Sequence, residues 1–150
     1  MIKIICIGKI KENYLREAIS EYTKRISKYS KLEIVELPDY DYDIKKTLEV
    51  EKDNILKVIK PSDYNILMDL NGKNLDSLEF SHNLEKIRSM NSNISFIIGG
   101  SYGVHEEIKN KCQEKISFSR LTFPHQLFRV ILLEQIYRSF KILNNEEYHK

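Results

Sequence analysis

The chain has 150 residues, a net charge of +2, 41% hydrophobic residues and 31% charged residues. Its length fits a single domain, residues 1–150, that is large enough for a hydrophobic core, and its composition excludes a disordered chain. The small net charge excludes a uniformly basic protein, so a basic surface for nucleic acid must be a local patch.

The cysteines and the N-terminal segment exclude several other classes. Cys6 and Cys112 belong to no CxxC or Cys/His array, which argues against a disulfide framework and against a zinc site. The segment Met1–Gly8 lacks the pattern of a signal peptide, and no segment approaches the length of a membrane span. We therefore expect a cytoplasmic protein that contacts neither a metal nor a membrane.

The first half of the chain predicts two strands and two helices. Apolar β-branched residues predict a buried strand at Ile2–Ile7, and apolar residues at helical spacing predict an amphipathic helix at Asn13–Tyr29. A second strand, Leu32–Leu37, ends at a proline and precedes an acidic, tyrosine-rich loop, Asp39–Asp43. The second helix, Ile44–Ile59, also ends before a proline.

The second half continues this alternation. A third strand at Tyr64–Leu70 precedes an Asn-Gly turn at residues 71–72, and a fourth strand at Ile94–Ile98 enters a glycine-rich turn at Gly99–Gly103. The remaining predicted elements are a helix capped by Asp76 or Ser77 and running to about Met90, a short helix through Ile108 to Lys111, a short strand at Ile116–Phe118, and a final helix with Pro124 in its first turn, running to about Ile142. The pattern predicts an α/β fold whose mostly parallel sheet is covered by helices on both faces.

In such sheets, ligands bind outside the carboxyl ends of the strands, and three loops leave those ends here. The backbone of Gly99–Gly103 could approach an anion or a nucleoside, but this segment is neither a Walker loop nor a GxGxxG fingerprint, so a tight structural turn is an equal alternative. Loop Ser119–Phe123 could hold an adenine, although helix capping is the simpler interpretation. The third loop follows Asp69, a carboxylate that binds a ribose or, more simply, caps the next turn.

The final helix combines an apolar stripe with an unusual number of polar groups. We predict that Leu127, Ile131, Ile136 and Phe140 form a buried stripe, broadened by Leu132 and Leu133. His125 in the first turn is expected to be a neutral imidazole, because the helix dipole disfavours its protonated form. Arg129 and Arg138 are either surface ion-pair residues, with Glu134 pairing Arg138, or contacts to RNA phosphates.

Five segments taken together are more specific than any one of them. They are Ile7–Lys9, Phe96–Gly103, Ser117–Gln126, Leu133–Arg138 and Tyr148–Lys150. In this order and spacing, they make the whole chain resemble the RlmH-type 23S rRNA pseudouridine N3-methyltransferase family of the SPOUT class.

The resemblance implies a fold, a cofactor and a substrate. It implies an α/β domain whose C-terminal part forms a deep trefoil knot, an arrangement that periodicity could not predict because knots are very rare. The implied cofactor is S-adenosyl-L-methionine, and the implied substrate is a pseudouridine in the subunit-interface stem-loop of 23S rRNA, in an assembled ribosome. Carried over by position, the cofactor would be held by Met68, Gly99, Phe118, Ser119, Arg120, Leu121, Thr122 and Phe123.

The resemblance also implies a homodimer in which the C-terminal tail of one subunit completes the active site of the other. His125 would assist proton transfer from the base or orient it, and Arg138 would stabilise charge on the uracil oxygens. Tyr148 and His149 would close the site, while Arg129 and Lys150 would contact RNA. Three alternatives stay open: a SPOUT enzyme with a tRNA target, a non-catalytic ribosome-associated binding factor, and a nucleotide-binding metabolic enzyme.

Overall fold

Five strands and five helices alternate along the chain in a computed structural model that describes residues 1–150. The strands are β1 (Ile2–Ile7), β2 (Leu32–Leu37), β3 (Tyr64–Asn74), β4 (Ile94–Ile98) and β5 (Glu114–Ser117). The helices are α1 (Asn13–Ile26), α2 (Ile44–Val58), α3 (Ser77–Met90), α4 (Glu106–Lys111) and α5 (His125–Leu143).

The strands form one sheet in the order β2-β1-β4-β3-β5, and every neighbouring pair is parallel. The predicted α/β fold with a parallel sheet is therefore confirmed. β4 is inserted between β1 and β3, so these three strands are each hydrogen-bonded on two sides. The residues of β1 and β4 are buried throughout, as expected for strands covered on both faces.

Two hydrophobic clusters lie on the two faces of the sheet. Helices α1, α3 and α5 cover one face, where Ile4, Phe96 and Ile66 belong to the larger cluster. Helices α2 and α4 cover the other face, where Ile5 and Ile97 belong to the smaller cluster. This division follows the strand period of two, which sends successive side chains to opposite faces.

The predicted turn at residues 71–72 is wrong, because β3 continues through it to Asn74. The pairing of β3 with β5 shifts register between Met68 and Lys73, which makes residues 69–72 an irregularity within the strand. Gly72 permits this, since a Cβ atom there would lie 2.7 Å from the backbone nitrogen of Ile116. A close approach of two backbones, and not a chain reversal, explains this glycine.

The other differences from the predicted elements are small. α1 ends at Ile26, three residues early, and β5 begins at Glu114 because that residue pairs with Ile66 of β3. The predicted cap of α3 is confirmed, with Asp76 and Glu79 forming a reciprocal capping box. No helix of the chain is both long enough and apolar enough to cross a membrane.

The buried stripe of α5 is only partly the predicted one. Ile136 and Phe140 are buried between α1 and α3 together with Leu132 and Leu133, as predicted. Leu127, in contrast, is 41% exposed, and Ile131 is only half-buried. These two residues, one turn apart, leave an apolar strip on the outer side of α5.

Candidate active site

A cleft of about 380 Å³ lies at the carboxyl ends of β3, β4 and β5. Its walls are the end of β3, the glycine-rich turn after β4, the loop after β5 and the first turns of α5. Seven of the residues predicted to hold a cofactor line it: Met68, Gly99, Phe118, Ser119, Leu121, Thr122 and Phe123. The eighth, Arg120, has an exposed side chain and is not part of the lining.

The glycine-rich turn is a tight structural turn and also a wall of the cleft. The N–H of Gly103 donates to the carbonyl of Gly100 at 3.0 Å, and Gly103 has a φ of +76°. A Cβ atom on Gly99 would lie 2.7 Å from the Gly103 carbonyl oxygen. The turn closes only because these positions lack side chains, and its backbone is thereby brought to the cleft.

The loop after β5 presents open backbone groups to the cleft. Outside the regular elements, no backbone-to-backbone hydrogen bond involves residues 118–123. The loop is held instead by side chains: the Ser119 hydroxyl accepts from the Leu121 N–H at 2.9 Å, and the Phe118 ring packs edge-on against Phe80 at 5.2 Å. The Ser119 carbonyl also accepts from the Ser117 hydroxyl at 2.9 Å, and the other backbone donors and acceptors are available to a ligand.

His125 is the first residue of α5 and lines the same cleft. Burial, with a smaller contribution from the Arg129 guanidinium, lowers the pKa of its imidazole below the ordinary value of 6.5. The side chain is therefore neutral at physiological pH, in agreement with the sequence prediction. The helix cap is Pro124, so neither Thr122 nor Phe123 has the capping role considered as the simpler interpretation.

The other three predicted catalytic residues, Arg138 on α5 and Tyr148 and His149 in the tail that follows it, lie together beside the C-terminal half of α5, away from the cleft. Arg138 donates from Nε to Glu134 Oε1 at 2.9 Å, and its Nη1 lies 3.1 Å from Nδ1 of His149. The Tyr148 hydroxyl donates to the same Glu134 oxygen at 3.2 Å, and the Tyr148 ring packs against Tyr137. We call Glu134, Arg138, Tyr148 and His149 the tail cluster.

Electrostatics fix the protonation states of Tyr148 and Arg138. Burial and the neighbouring Glu134 carboxylate raise the pKa of Tyr148 to about 12, so its hydroxyl donates a hydrogen bond and does not act as a base. The hydrogen bond to Glu134 raises the pKa of Arg138, which remains a cation. Lys150 is exposed beyond this cluster.

The chain carries the signature of a known family over nearly its whole length. Residues 1–149 match the family model described as a predicted SPOUT methyltransferase. The chain belongs to the SPOUT methyltransferase family. Ribosomal RNA large subunit methyltransferase H 1 of Clostridium perfringens is 50% identical to it over 99% of both chains. Ribosomal RNA large subunit methyltransferase H of Clostridium botulinum is also 50% identical over 99% of both chains.

One predicted RNA contact in this SPOUT methyltransferase is not supported by its structure. Arg129 is only 2% exposed, and its Nη1 forms an ion pair with Glu36 at 2.6 Å. Its Nη2 donates to the carbonyl of Gly8 at 3.0 Å. Both terminal nitrogens are therefore engaged inside the protein, where Arg129 ties α5 to the ends of β1 and β2 and cannot reach an RNA phosphate.

Two residues of the SPOUT methyltransferase take roles that sequence reasoning assigned weakly or not at all. Glu134, considered only as an ion-pair partner, accepts hydrogen bonds from Arg138, Gln135 and Tyr148 and so organises the tail cluster. Its four-residue spacing from Arg138 was the available signal. Asp69 lines the cleft, and one of its carboxylate oxygens accepts from the Asn71 N–H at 3.2 Å within the irregular part of β3, in place of the turn that it was expected to cap.

Proposed function

We propose that this SPOUT methyltransferase transfers a methyl group from S-adenosyl-L-methionine to N3 of a pseudouridine in 23S rRNA, and that it acts in the cytoplasm on assembled ribosomes. The observation that carries the proposal is the cleft, which unites Met68, Gly99 and the open backbone of residues 118–123 in a methyltransferase family member. The rRNA target is supported by the names of relatives that are half identical over the full length.

The residues of the cleft fit the proposed cofactor. An adenine needs backbone hydrogen bonds on its edge and an apolar wall, which the segment 118–123 and Phe128 offer. The Asp69 carboxylate stands at the same cleft, and an acidic group suits a ribose hydroxyl. We propose that the segment belongs to the deep trefoil knot of the resembled class.

The cofactor supplies an activated methyl group on a sulfonium, so the protein mainly positions the base and manages one proton. The imide N3 of pseudouridine is a poor nucleophile while protonated. His125 is neutral and half-buried at the cleft, so it is suited to accept that proton. Arg138, a cation held by Glu134, is suited to stabilise negative charge on the uracil oxygens. Tyr148 and His149 then orient the base by hydrogen bonds.

A homodimer reconciles the two separated groups of residues. His125 and Arg138 are roughly 20 Å apart along α5, at about 1.5 Å per residue. In one chain, the tail cluster therefore cannot reach the base while the base faces the cleft. The exposed Leu127 and half-buried Ile131 offer an apolar strip for a second copy. We propose that each cleft is completed by the tail cluster of the partner subunit, with Lys150 contacting RNA.

A methyl-transfer assay tests the proposed function. Radiolabelled cofactor is supplied with assembled ribosomes, with protein-free 23S rRNA or with tRNA, and mass spectrometry of the nucleosides locates the methyl group. We expect N3-methylated pseudouridine with ribosomes and little product with protein-free RNA. Efficient methylation of tRNA would show that the substrate is tRNA and not 23S rRNA. Cofactor binding without transfer to any RNA would indicate a non-catalytic ribosome-associated factor.

A further inference from the structure

A basic surface lies where α1 ends and the chain turns towards β2. Lys24 lies in the last turn of α1, and Lys28 and Lys31 lie in the connection that follows. All three side chains are exposed, and none forms an ion pair. We call them the α1-end lysines. The net charge of the whole chain is only +2, so a surface for nucleic acid must be a local basic patch, and these three lysines offer one.

This surface is fixed against the tail of the same chain. The Tyr29 ring, which lies between two of the lysines in sequence, stacks on Phe140 of α5 at 5.2 Å. Its hydroxyl donates to Glu146 at 2.8 Å, and Lys141 donates to the other oxygen of Glu146 at 3.0 Å. The lysines therefore stand on a rigid support, which keeps their position relative to the C-terminal tail constant.

The α1-end lysines lie on the side of the molecule that carries the C-terminal tail. Lys28 is near enough to Glu146 to contribute to the lowered pKa of that carboxyl, whose largest cause is the hydrogen bond from Tyr29. On α1 itself, the Tyr22 ring lies 6.2 Å from Tyr137, the residue against which Tyr148 packs. Two acidic side chains nearby are neutralised, because Glu21 pairs with Arg25 and Glu146 pairs with Lys141.

From this arrangement, we infer that the α1-end lysines bind the phosphate backbone of the RNA substrate beside the nucleoside that the tail cluster orients. The inference rests on the proposed function. Unpaired, exposed ammonium groups suit phosphates because each contact releases condensed counterions and needs no base sequence. Their place beside the tail means that they would position the RNA at the cleft of the partner subunit.

The test replaces all three lysines by glutamine, in the variant Lys24→Gln/Lys28→Gln/Lys31→Gln. The matched control, Lys45→Gln/Lys57→Gln/Lys60→Gln, removes the same charge from exposed, unpaired lysines in and just after α2, on the other side of the sheet. Binding to assembled ribosomes is measured by sedimentation at several salt concentrations, alongside the KM for ribosomes and the affinity for S-adenosyl-L-methionine by calorimetry.

We expect the first variant to lose ribosome affinity by on the order of 100-fold at 0.15 M salt, since one phosphate contact is worth roughly a factor of five there. The slope of log K against log salt should become shallower by about two to three, the KM for ribosomes should rise, and cofactor affinity should not change. The control should behave as the wild type, and replacement of the three lysines by arginine should restore binding.

The outcomes separate this inference from the proposed function. If wild-type protein methylates ribosomes and the first variant matches the control in affinity and salt slope, the α1-end lysines do not bind RNA and the proposed function stands. If wild-type protein binds ribosomes without transferring methyl groups, the proposed activity is wrong, while the two salt slopes still decide the inference. If wild-type protein does not bind ribosomes, both are overturned.

Discussion

Replacement of Arg129 by methionine distinguishes a buried structural arginine from an RNA contact. The substitution keeps much of the side-chain volume but removes the ion pair with Glu36 and the hydrogen bond to the Gly8 carbonyl. Breaking one side of a buried ion pair costs about 3–5 kcal/mol when the remaining charge cannot be hydrated. Here the Glu36 side chain is 37% exposed and still accepts from the Ile10 N–H, which reduces its penalty.

Two further contributions determine the expected loss of stability in Arg129→Met. The Gly8 carbonyl loses its hydrogen bond from Arg129, which lowers the stability by about 1–3 kcal/mol. Against that, Nε of Arg129 is buried without a hydrogen-bond partner, so its removal recovers part of the loss. We expect Arg129→Met to lower the free energy of unfolding by about 3 kcal/mol in urea denaturation. Glu36→Gln should cost less, because its amide oxygen can still accept from the guanidinium.

Stability and ribosome binding together test the alternative, in which Arg129 contacts an RNA phosphate. A phosphate contact would leave stability within about 0.5 kcal/mol of wild type, as exposed substitutions do, and would make the salt dependence of binding shallower by about one unit. A stable Arg129→Met protein with weakened, less salt-dependent ribosome binding would therefore refute the structural role assigned to Arg129.

Three further predictions follow from the cleft and the tail cluster. Deletion of Tyr148–Lys150 should abolish methyl transfer to ribosomes, while calorimetry and sedimentation show unchanged cofactor binding and dimerisation; loss of cofactor binding would place the tail at its own cleft. Gly72→Ala should destabilise the protein by about 1–3 kcal/mol and weaken cofactor binding, because the added Cβ forces β3 away from the backbone of Ile116. Wild-type stability of this variant would contradict the close approach of the Gly72 and Ile116 backbones. The loss of activity at acid pH should occur below pH 6.5, since burial keeps His125 neutral down to lower pH. Any residual activity of His125→Gln should lack this acid limb. The same acid limb in the variant as in the wild type would show that His125 takes no part in proton transfer.

Local patterns predicted most of the fold because the deciding interactions lie within each segment. β4 matches its predicted bounds, Ile94–Ile98, because a continuous apolar run is the signature of a strand buried on both faces. The cap of α3 was readable for the same reason, since Asp76 and Glu79 are three residues apart. Such short-range rules also placed the loops of the cleft at the carboxyl ends of the strands.

The errors concern residues whose partners are distant in sequence. The Asn-Gly pair at residues 71–72 predicts a turn unless the backbone of Ile116 is known to lie against it. Arg129 has its ionic partner 93 residues away, at Glu36, so spacing along α5 could not distinguish a buried side chain from a surface one. The outward position of Leu127 likewise depends on which side of α5 the sheet occupies.

The two ends of α5 constrain how the proposed enzyme works. His125 stands at the cleft that would hold the methyl donor, while Glu134 orders the groups suited to hold the base, farther along the same rigid helix. A helix does not shorten, and α5 is buried between α1 and α3, so bending it towards itself would disrupt the core. Under the proposed function, the donor site and the base-holding groups would therefore meet between two copies of the chain. Dimerisation would then be a condition of activity, and a monomeric variant would still bind the cofactor but transfer no methyl group.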